Sequence, residues 1–252
     1  MFTSLNPGAS PSRVPAAPPA DPLAVPATHM PFMALTTGER GLYVPPLTIT
    51  EDDGWVRYID PSPYDRYPGF DVLLMRTLGS PSGRPVGARV SPYRQALCMV
   101  ELVCQGCRRP AACNPDGPST GFGHPLFVLP RHRSVGSLNP AAGITDMPPS
   151  CAACAVSWCP VLQERGRQLV WAARAELVGV FGRLYVPGTG GMREERYVEL
   201  AGTEVEERKL STVVANSFAR DLQDVTPADP DVVRRLAAEQ TRTTARVPSG
   251  RR

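Results

Sequence analysis

The sequence predicts an α+β fold, a single irregular domain set between a disordered N-terminal arm and a loose basic C-terminal tail. Three observations carry that expectation. Short apolar runs alternate with the period of strands over much of the chain, and helical spacing recurs in only a few places. The 29 prolines and 22 glycines among 252 residues, with 42% hydrophobic residues, leave less core than the length suggests. Two Cys-x-x-Cys pairs bracket a long stretch with little secondary structure of its own.

Residues 1–34 form the arm. They hold Pro7, Pro11, Pro15, Pro18, Pro19, Pro22 and Pro26 among alanines and serines, a composition that buries too little apolar area to offset ordering entropy. The domain is expected over 35–226, with its first strand signals near Gly41. Leu42-Tyr43-Val44 and Leu47-Thr48-Ile49 flank a proline pair, and Trp55 to Ile59 alternates as a half-buried strand would. Asp53-Gly54 marks a hairpin turn between them. Asp71 to Met75 is a further strand, reached through a Pro- and Tyr-rich loop. Ser91-Pro92 offers an N-cap and first-turn proline to a helix over 92–103 carrying Ala96, Leu97, Val100 and Val103.

From Cys104 to Ser150 the chain is rich in Pro, Gly, Asn and Ser, with one apolar strand at Leu126 to Leu129. Ala155, Trp158, Val161 and Leu162 suit a short helix. Leu169 to Val186 reads as one or two strands and Tyr197 to Leu200 as another, with Gly188-Thr189-Gly190-Gly191 as a hairpin loop between them. Ser211 is placed to cap a helix whose Val214, Phe218, Leu222 and Val225 form a stripe. Within 227–252, Asp229-Pro230 starts a last helix with Val232, Val233 and Leu236, and the tail begins near Thr241.

Charge excludes little. Lys209 is the single lysine among 27 basic residues and the formal net charge is +3, too small to announce a nucleic-acid binder. The charge is unevenly spread, however. From residue 76 to 133, Arg76, Arg84, Arg89, Arg94, Arg108, Arg109, Arg131 and Arg133 face only Glu101 and Asp116, a balance of 8 − 2 = +6. Such an excess is either a solvated surface or a contact for nucleic acid or an acidic protein. No apolar run approaches the ~20 residues a membrane span needs, and the N-terminus lacks a charged and then apolar leader. A cytoplasmic protein with no membrane association is expected.

The cysteines carry the specific chemistry. Of the seven, Cys104 and Cys107 form one Cys-x-x-Cys pair and Cys151 and Cys154 the other. A two-residue gap turns both thiolates of a pair toward one cation, and a second pair completes the tetrahedral four-sulfur shell that zinc prefers. The expected cofactor is therefore one structural Zn2+ held by Cys104, Cys107, Cys151 and Cys154, in a treble-clef-like or ribbon-like site. Gly106 supplies a permissive backbone in the first pair, and Cys154 falls at the start of the short helix, whose amides favour thiolate charge. The 43 residues between the pairs exceed the usual spacing. Disulfides conflict with a cytosolic location, and a redox dithiol needs one pair near a βαβ pattern that is absent here. Cys98 reads as a core residue, and the solitary spacing of Cys113 and Cys159 disfavours either as a replacement ligand.

Four thiolates leave no open position for a catalytic water, so the metal is read as structural, tying shut the 104–150 loop and contributing about 10 kcal/mol of folding free energy. No catalytic residues and no enzyme activity are expected. The enzymatic alternative is an HNH-type nuclease, since His124 and His132 lie between the pairs with Asn139 downstream. That pattern departs in detail. Neither histidine follows an Asp or His, and no histidine follows Cys154, so a second catalytic metal lacks ligands.

The segments GLYVPPLT, GWVRYIDPSPYDRYPGFDVLLMR, LVCQGCRRPA, CAACAVSWCPVL and GVFGRLYVPG together resemble a family of actinobacterial and actinophage zinc-knuckle proteins, over roughly residues 35 to 225. Its best-understood branch is the recombination directionality factor that temperate actinophages supply to their large serine integrases. The resemblance implies a non-enzymatic switch that binds the integrase, favours recombination of the hybrid attachment sites and so turns integration into prophage excision. DNA is then engaged indirectly, through the integrase. The candidate docking surfaces are the apolar stripe of 211–224, the aromatic loop 58–70 and the arginine-rich segment around the first knuckle. The other class of function is a zinc-knuckle DNA-binding or DNA-processing protein of early phage replication.

Overall fold

A computed structural model describes residues 32–50, 52–68, 71–106, 108, 124–131, 160–201, 210–233 and 235–236. They form one mixed α+β domain, mostly strands with few helices. In chain order the elements are β1 (Ala34–Thr36), β2 (Glu39–Tyr43), β3 (Leu47–Ile49), β4 (Val56–Tyr58), β5 (Leu73–Leu74), β6 (Arg76–Gly79), β7 (Pro85–Val90), α1 (Pro92–Glu101), β8 (Leu126–Pro130), α2 (Pro160–Arg165), β9 (Arg167–Gly188), β10 (Gly191–Ala201) and β11 (Val213–Pro227). A further helical segment starts at Pro230. The arm before residue 32 and the tail after 236 lie outside the described residues.

The organising element is β9, a 22-residue strand rich in Val, Leu, Phe and Tyr. Along one edge it pairs antiparallel with β11, from Val170↔Pro227 to Leu184↔Val213. Its other edge takes β8 at the start, Leu126↔Trp171, and β10 at the end through the glycine turn Gly188↔Gly191. The sheet order is β10-β9-β11-β5, with β8 attached to β9 and β5 parallel to β11.

Strand alternation sends neighbouring residues to opposite faces. Leu74, Val180, Val213 and Ala215 pack with Ala96, Leu97 and Met99 of α1. Leu73, Val214 and Tyr185 pack on the other side with Leu47, Val56 and Tyr58 of the β3–β4 hairpin. That hairpin pairs Leu47↔Tyr58 across the turn at Asp53-Gly54, as the sequence predicts. Helix α1 begins at Pro92 in the predicted place, although Ser91 makes no side-chain cap hydrogen bond.

The predicted helix at 211–224 is a strand. β11 departs from expectation because residues four apart satisfy both the helical period and the strand period of two. Bulges also break the supposed stripe. A register shift between Ala215 and Ser217 puts an extra residue, Asn216, on β11 and reverses its side-chain alternation beyond that point. The shift between Ala219 and Arg220 puts the extra residue, Val178, on β9 instead. Val214 therefore lies in the cluster of the β3–β4 hairpin, Phe218 in that of α1, and Leu222 with Phe127 and Leu129 of β8. At the first bulge, Gln95 of α1 satisfies the displaced backbone: Phe218 N–H donates to its Oε1 at 2.9 Å and its Nε2 donates to the Phe218 carbonyl at 3.1 Å.

A second unit joins this sheet. Residues 34–43 run antiparallel to 76–90 as a ribbon, Ala34↔Val90 and Thr36↔Pro85 in β1–β7, then Gly41↔Leu78 and Tyr43↔Arg76 in β2–β6. The two halves meet at a kink where Gly79, at φ +98°, lies against Gly38, and a Cβ on Gly79 would fall 2.1 Å from the Gly38 carbonyl oxygen. Only glycine tolerates that approach.

Candidate functional site

Cys104 is positioned by the end of α1. Leu102 adopts the left-handed conformation at φ 52°, and its amide and that of Val103 both return to the Cys98 carbonyl. This closes the helix and sets the direction of the following residues. Arg220, reaching across from β11, donates through Nε to the Met99 carbonyl at 2.7 Å and through Nη2 to that of Val100 at 3.4 Å. A guanidinium at a helix C-terminus satisfies orphan carbonyls and complements the helix dipole.

The chain then makes a tight turn over 104–108. Gly106 N–H points at Cys104 Sγ, 3.2 Å away, and Arg108 N–H donates to the Cys104 carbonyl at 2.8 Å. Arg108 sits at φ 60°, a left-handed conformation that costs a non-glycine residue of order 1 kcal/mol and persists only where surroundings enforce it. The turn is clipped from outside: Phe32 and Met33 amides donate to the Gly106 and Gln105 carbonyls at 2.9 and 3.1 Å, and the Arg108 guanidinium lies 5.3 Å from the Phe32 ring centre. An amide aimed at sulfur is the arrangement that stabilises a thiolate ligand.

Cys104 is fully buried, in a cluster with Leu126, Val128, Leu162, Trp171, Ala228 and Val233. Cys98, also fully buried, lies in the α1 cluster as a core residue, as the sequence suggests. Of the predicted ligand set, Cys107, Cys151 and Cys154 lie outside the described residues, as do Cys113 and Cys159. Leu162 of α2, eight residues beyond Cys154, does lie in the Cys104 cluster. Spacing alone singles out Cys104 as a candidate ligand. It gives no sign of Arg220, Phe32 or Met33 as the groups that hold the turn, because their partners are backbone carbonyls.

The predicted docking surfaces fare unevenly. Val214 and Phe218 are fully buried in the sheet, so the 211–224 stripe is no exposed face. In the aromatic loop, Tyr58 and Tyr67 are buried. Tyr58 hydroxyl donates to the Leu74 carbonyl at 2.9 Å, Tyr67 hydroxyl bonds Glu101, and Tyr64 meets Tyr93 edge-on at 5.2 Å. Burial first, then the Asp65 carboxylate, holds the Tyr58 hydroxyl well above the ordinary tyrosine range. The loop thus packs against α1 and upon itself, the plainer of its two predicted readings.

The arginine excess is partly internal. Arg94 and Glu39 form a buried bidentate pair at 2.9 and 2.8 Å. Arg76 holds Asp65 through two contacts of 2.7 and 2.8 Å and stacks over Tyr58 at 4.4 Å. Arg84, Arg89 and Arg131 are exposed. His124, half-buried, enters β8 directly, and His132 and Asn139 lie outside the described residues.

No family model, no curated protein and no solved structure matches the chain. Among the described residues, no helix is long and apolar enough to cross a membrane.

Proposed function

We propose that this chain is a binding protein rather than an enzyme, stiffened by one structural zinc at Cys104, Cys107, Cys151 and Cys154, and that it acts as a recombination directionality factor on a large serine integrase. One observation carries the metal reading. Cys104 and Leu162 share a buried cluster, so the chain that holds both Cys-x-x-Cys pairs leaves this place and returns to it. The eight residues from Cys154 to Leu162 reach at most about 28 Å when extended, so Cys154 can approach Cys104, and Cys151 lies three residues further along the chain. The amide turned to Cys104 Sγ suits a thiolate, and a thiolate among Leu, Val and Trp side chains needs a cation to offset its desolvation.

Zinc in such a shell supplies no reaction chemistry; it closes a loop and contributes folding free energy. The remaining task falls to the protein surface. A switch alters recombination only by binding one integrase arrangement more tightly than another, since a ligand with equal affinity for both shifts nothing. A domain rigid enough to present one face loses little entropy on binding and is suited to that discrimination. The integrase reading itself rests on the sequence resemblance.

In vitro recombination between hybrid attachment sites, run with the cognate integrase with and without this protein, tests the proposal. Stimulation of the hybrid-site reaction and a supershift of integrase–DNA complexes are expected, with weak binding to naked DNA. No stimulation ends the directionality reading. Salt-sensitive binding to DNA alone would favour the replication-protein class, and plasmid cleavage with added divalent metal would establish the nuclease.

A further inference from the structure

We infer that Arg220 is the positioning residue for the first knuckle: reaching from β11, it stops α1 at Glu101 and so delivers Cys104 to the metal site. The inference rests on the proposed zinc, and the place where the helix ends is its starting point. The sequence carries α1 on to Val103, and neither glycine, asparagine nor proline stands between Glu101 and Gly106. In the structure the helix ends at Glu101, and Leu102 lies in the left-handed region at φ 52° and ψ 47°. Leucine is a poor residue for that place, which helices ordinarily give to glycine or asparagine. Such a conformation persists only where surrounding groups enforce it.

The acceptors that a further turn needs are already taken. One more helical turn would spend the Met99 carbonyl on the Val103 amide and the Val100 carbonyl on the Cys104 amide. Instead the Val103 amide turns back to the Cys98 carbonyl at 3.2 Å. Arg220 holds the Met99 carbonyl at 2.7 Å through Nε and the Val100 carbonyl at 3.4 Å through Nη2. The guanidinium is itself fixed: it is 8% exposed, and its Nη1 donates to the Ala175 carbonyl of β9. Its planar fork of donors thereby bridges carbonyls of α1 and of the sheet. Beyond the turn at Leu102, Cys104 enters the cluster of Leu126, Val128, Leu162 and Trp171, and Gly106 N–H meets its Sγ at 3.2 Å. A continued helix would give Cys104 another direction, so the placing of this ligand depends on a side chain of a distant strand.

Three full-length proteins test it: the parent, Arg220→Met, and Arg220→Met combined with Leu102→Gly. Thermal melting first establishes which of them are folded. Zinc affinity is then measured by competition with a chromophoric chelator, and the Cα chemical shifts of residues 102–105 report whether the helix has grown. Arg220→Met should bind zinc about tenfold more weakly, the factor that one left-handed non-glycine residue sets once its restraint is gone, and residues 102–105 should move to helical shifts. Adding Leu102→Gly should recover most of the affinity, because glycine takes the left-handed turn without restraint. A role in packing alone would lower the melting temperature of Arg220→Met and leave zinc affinity and shifts unchanged in the folded protein, and that result overturns the inference. So does a combined variant that binds zinc no better than Arg220→Met. Where Arg220→Met does not fold, cooperative melting regained in the combined variant supports the inference, and its absence overturns it. If the parent takes up no zinc, the metal reading fails, and the shifts of residues 102–105 alone decide whether Arg220 stops the helix.

Discussion

Replacing Glu39 with alanine should destabilise the domain by about 3–5 kcal/mol, the cost of leaving a buried charge without its partner. The carboxylate is 2% exposed and accepts four hydrogen bonds: from Arg94 Nη1 at 2.9 Å, Arg94 Nη2 at 2.8 Å, Thr36 N at 2.8 Å and Thr36 Oγ1 at 3.1 Å. Truncation would leave Arg94 with the Ala34 carbonyl at 2.7 Å and strip the Thr36 amide of its acceptor, a loss of about 1–3 kcal/mol by itself. An exposed pair of the same kind contributes about 0–1 kcal/mol, so the measurement discriminates sharply. Urea unfolding at pH 7 and fixed zinc concentration, followed by far-ultraviolet circular dichroism, gives the free-energy change from midpoint and slope. Converting both residues to leucine should restore most of the loss, because paired burial of charge is costly in the first place. A loss under about 1 kcal/mol for Glu39→Ala would mean that Arg94 reaches water, and the anchoring of the ribbon to α1 would be wrong.

The other predictions concern the sheet, the alkaline limit and the metal. Gly182→Ala should cost about 1–2 kcal/mol in the same urea assay, since the added Cβ would meet the Val214 carbonyl oxygen at 2.5 Å and Ala215 Cα at 2.8 Å, backbone that cannot step aside; the entropy gained from removing a glycine is only about 0.4–1 kcal/mol. Tyr58 has its pKa raised from 10.0 by burial, so the folded state holds that proton more tightly than the unfolded one. The contribution is complete below pH 10 and is lost as pH rises above it. Tyr58→Phe should lower stability by about 1 kcal/mol at pH 8 and flatten the alkaline decline; an unchanged decline counts against the assignment. Elemental analysis should find one zinc per chain, lost in Cys104→Ser along with cooperative melting, and a strong chelator should reproduce that loss. Metal-free protein that melts cooperatively would reject the knuckle.

Much of the fold was legible because its signals were local. Alternation marked β4, a short apolar run marked β8, and a Val-, Leu-, Phe- and Tyr-rich stretch marked the long β9. Asp53-Gly54 and Gly188 to Gly191 marked turns, and Ser91-Pro92 announced α1. β11 was misread for a definite reason. Val214, Phe218 and Leu222 recur every four residues, a spacing shared by both periodicities, and the bulge at Asn216 that sends Val214 and Phe218 to different clusters leaves no local mark. The better guide was composition, since Thr212, Val213, Val214 and Thr226 are β-branched. β1 was silent and β2 showed only its end, at Leu42-Tyr43, because both are short and are defined by distant partners, from Tyr43↔Arg76 to Ala34↔Val90. At the candidate site, spacing pointed to Cys104, but the contacts that hold its turn are long-range bonds to backbone carbonyls, which no residue type advertises.

Those contacts bear on how a metal would serve partner binding. The 104–108 turn is joined to the ribbon twice. Phe32 and Met33, immediately before β1, donate to the turn's carbonyls, and α1, which ends in the turn, holds Glu39 through Arg94. Ordering the turn therefore orders both strands of approach to β2. Without it, the ribbon keeps its own ladder and the Glu39–Arg94 pair, but Phe32 and Met33 lose their acceptors. The cost of fixing those backbone groups, about 1–2 kcal/mol for each residue, then falls on a partner that needs the ribbon fixed rather than on folding. A metal at this turn would then act on partner affinity through preorganisation, with no contact to the partner required.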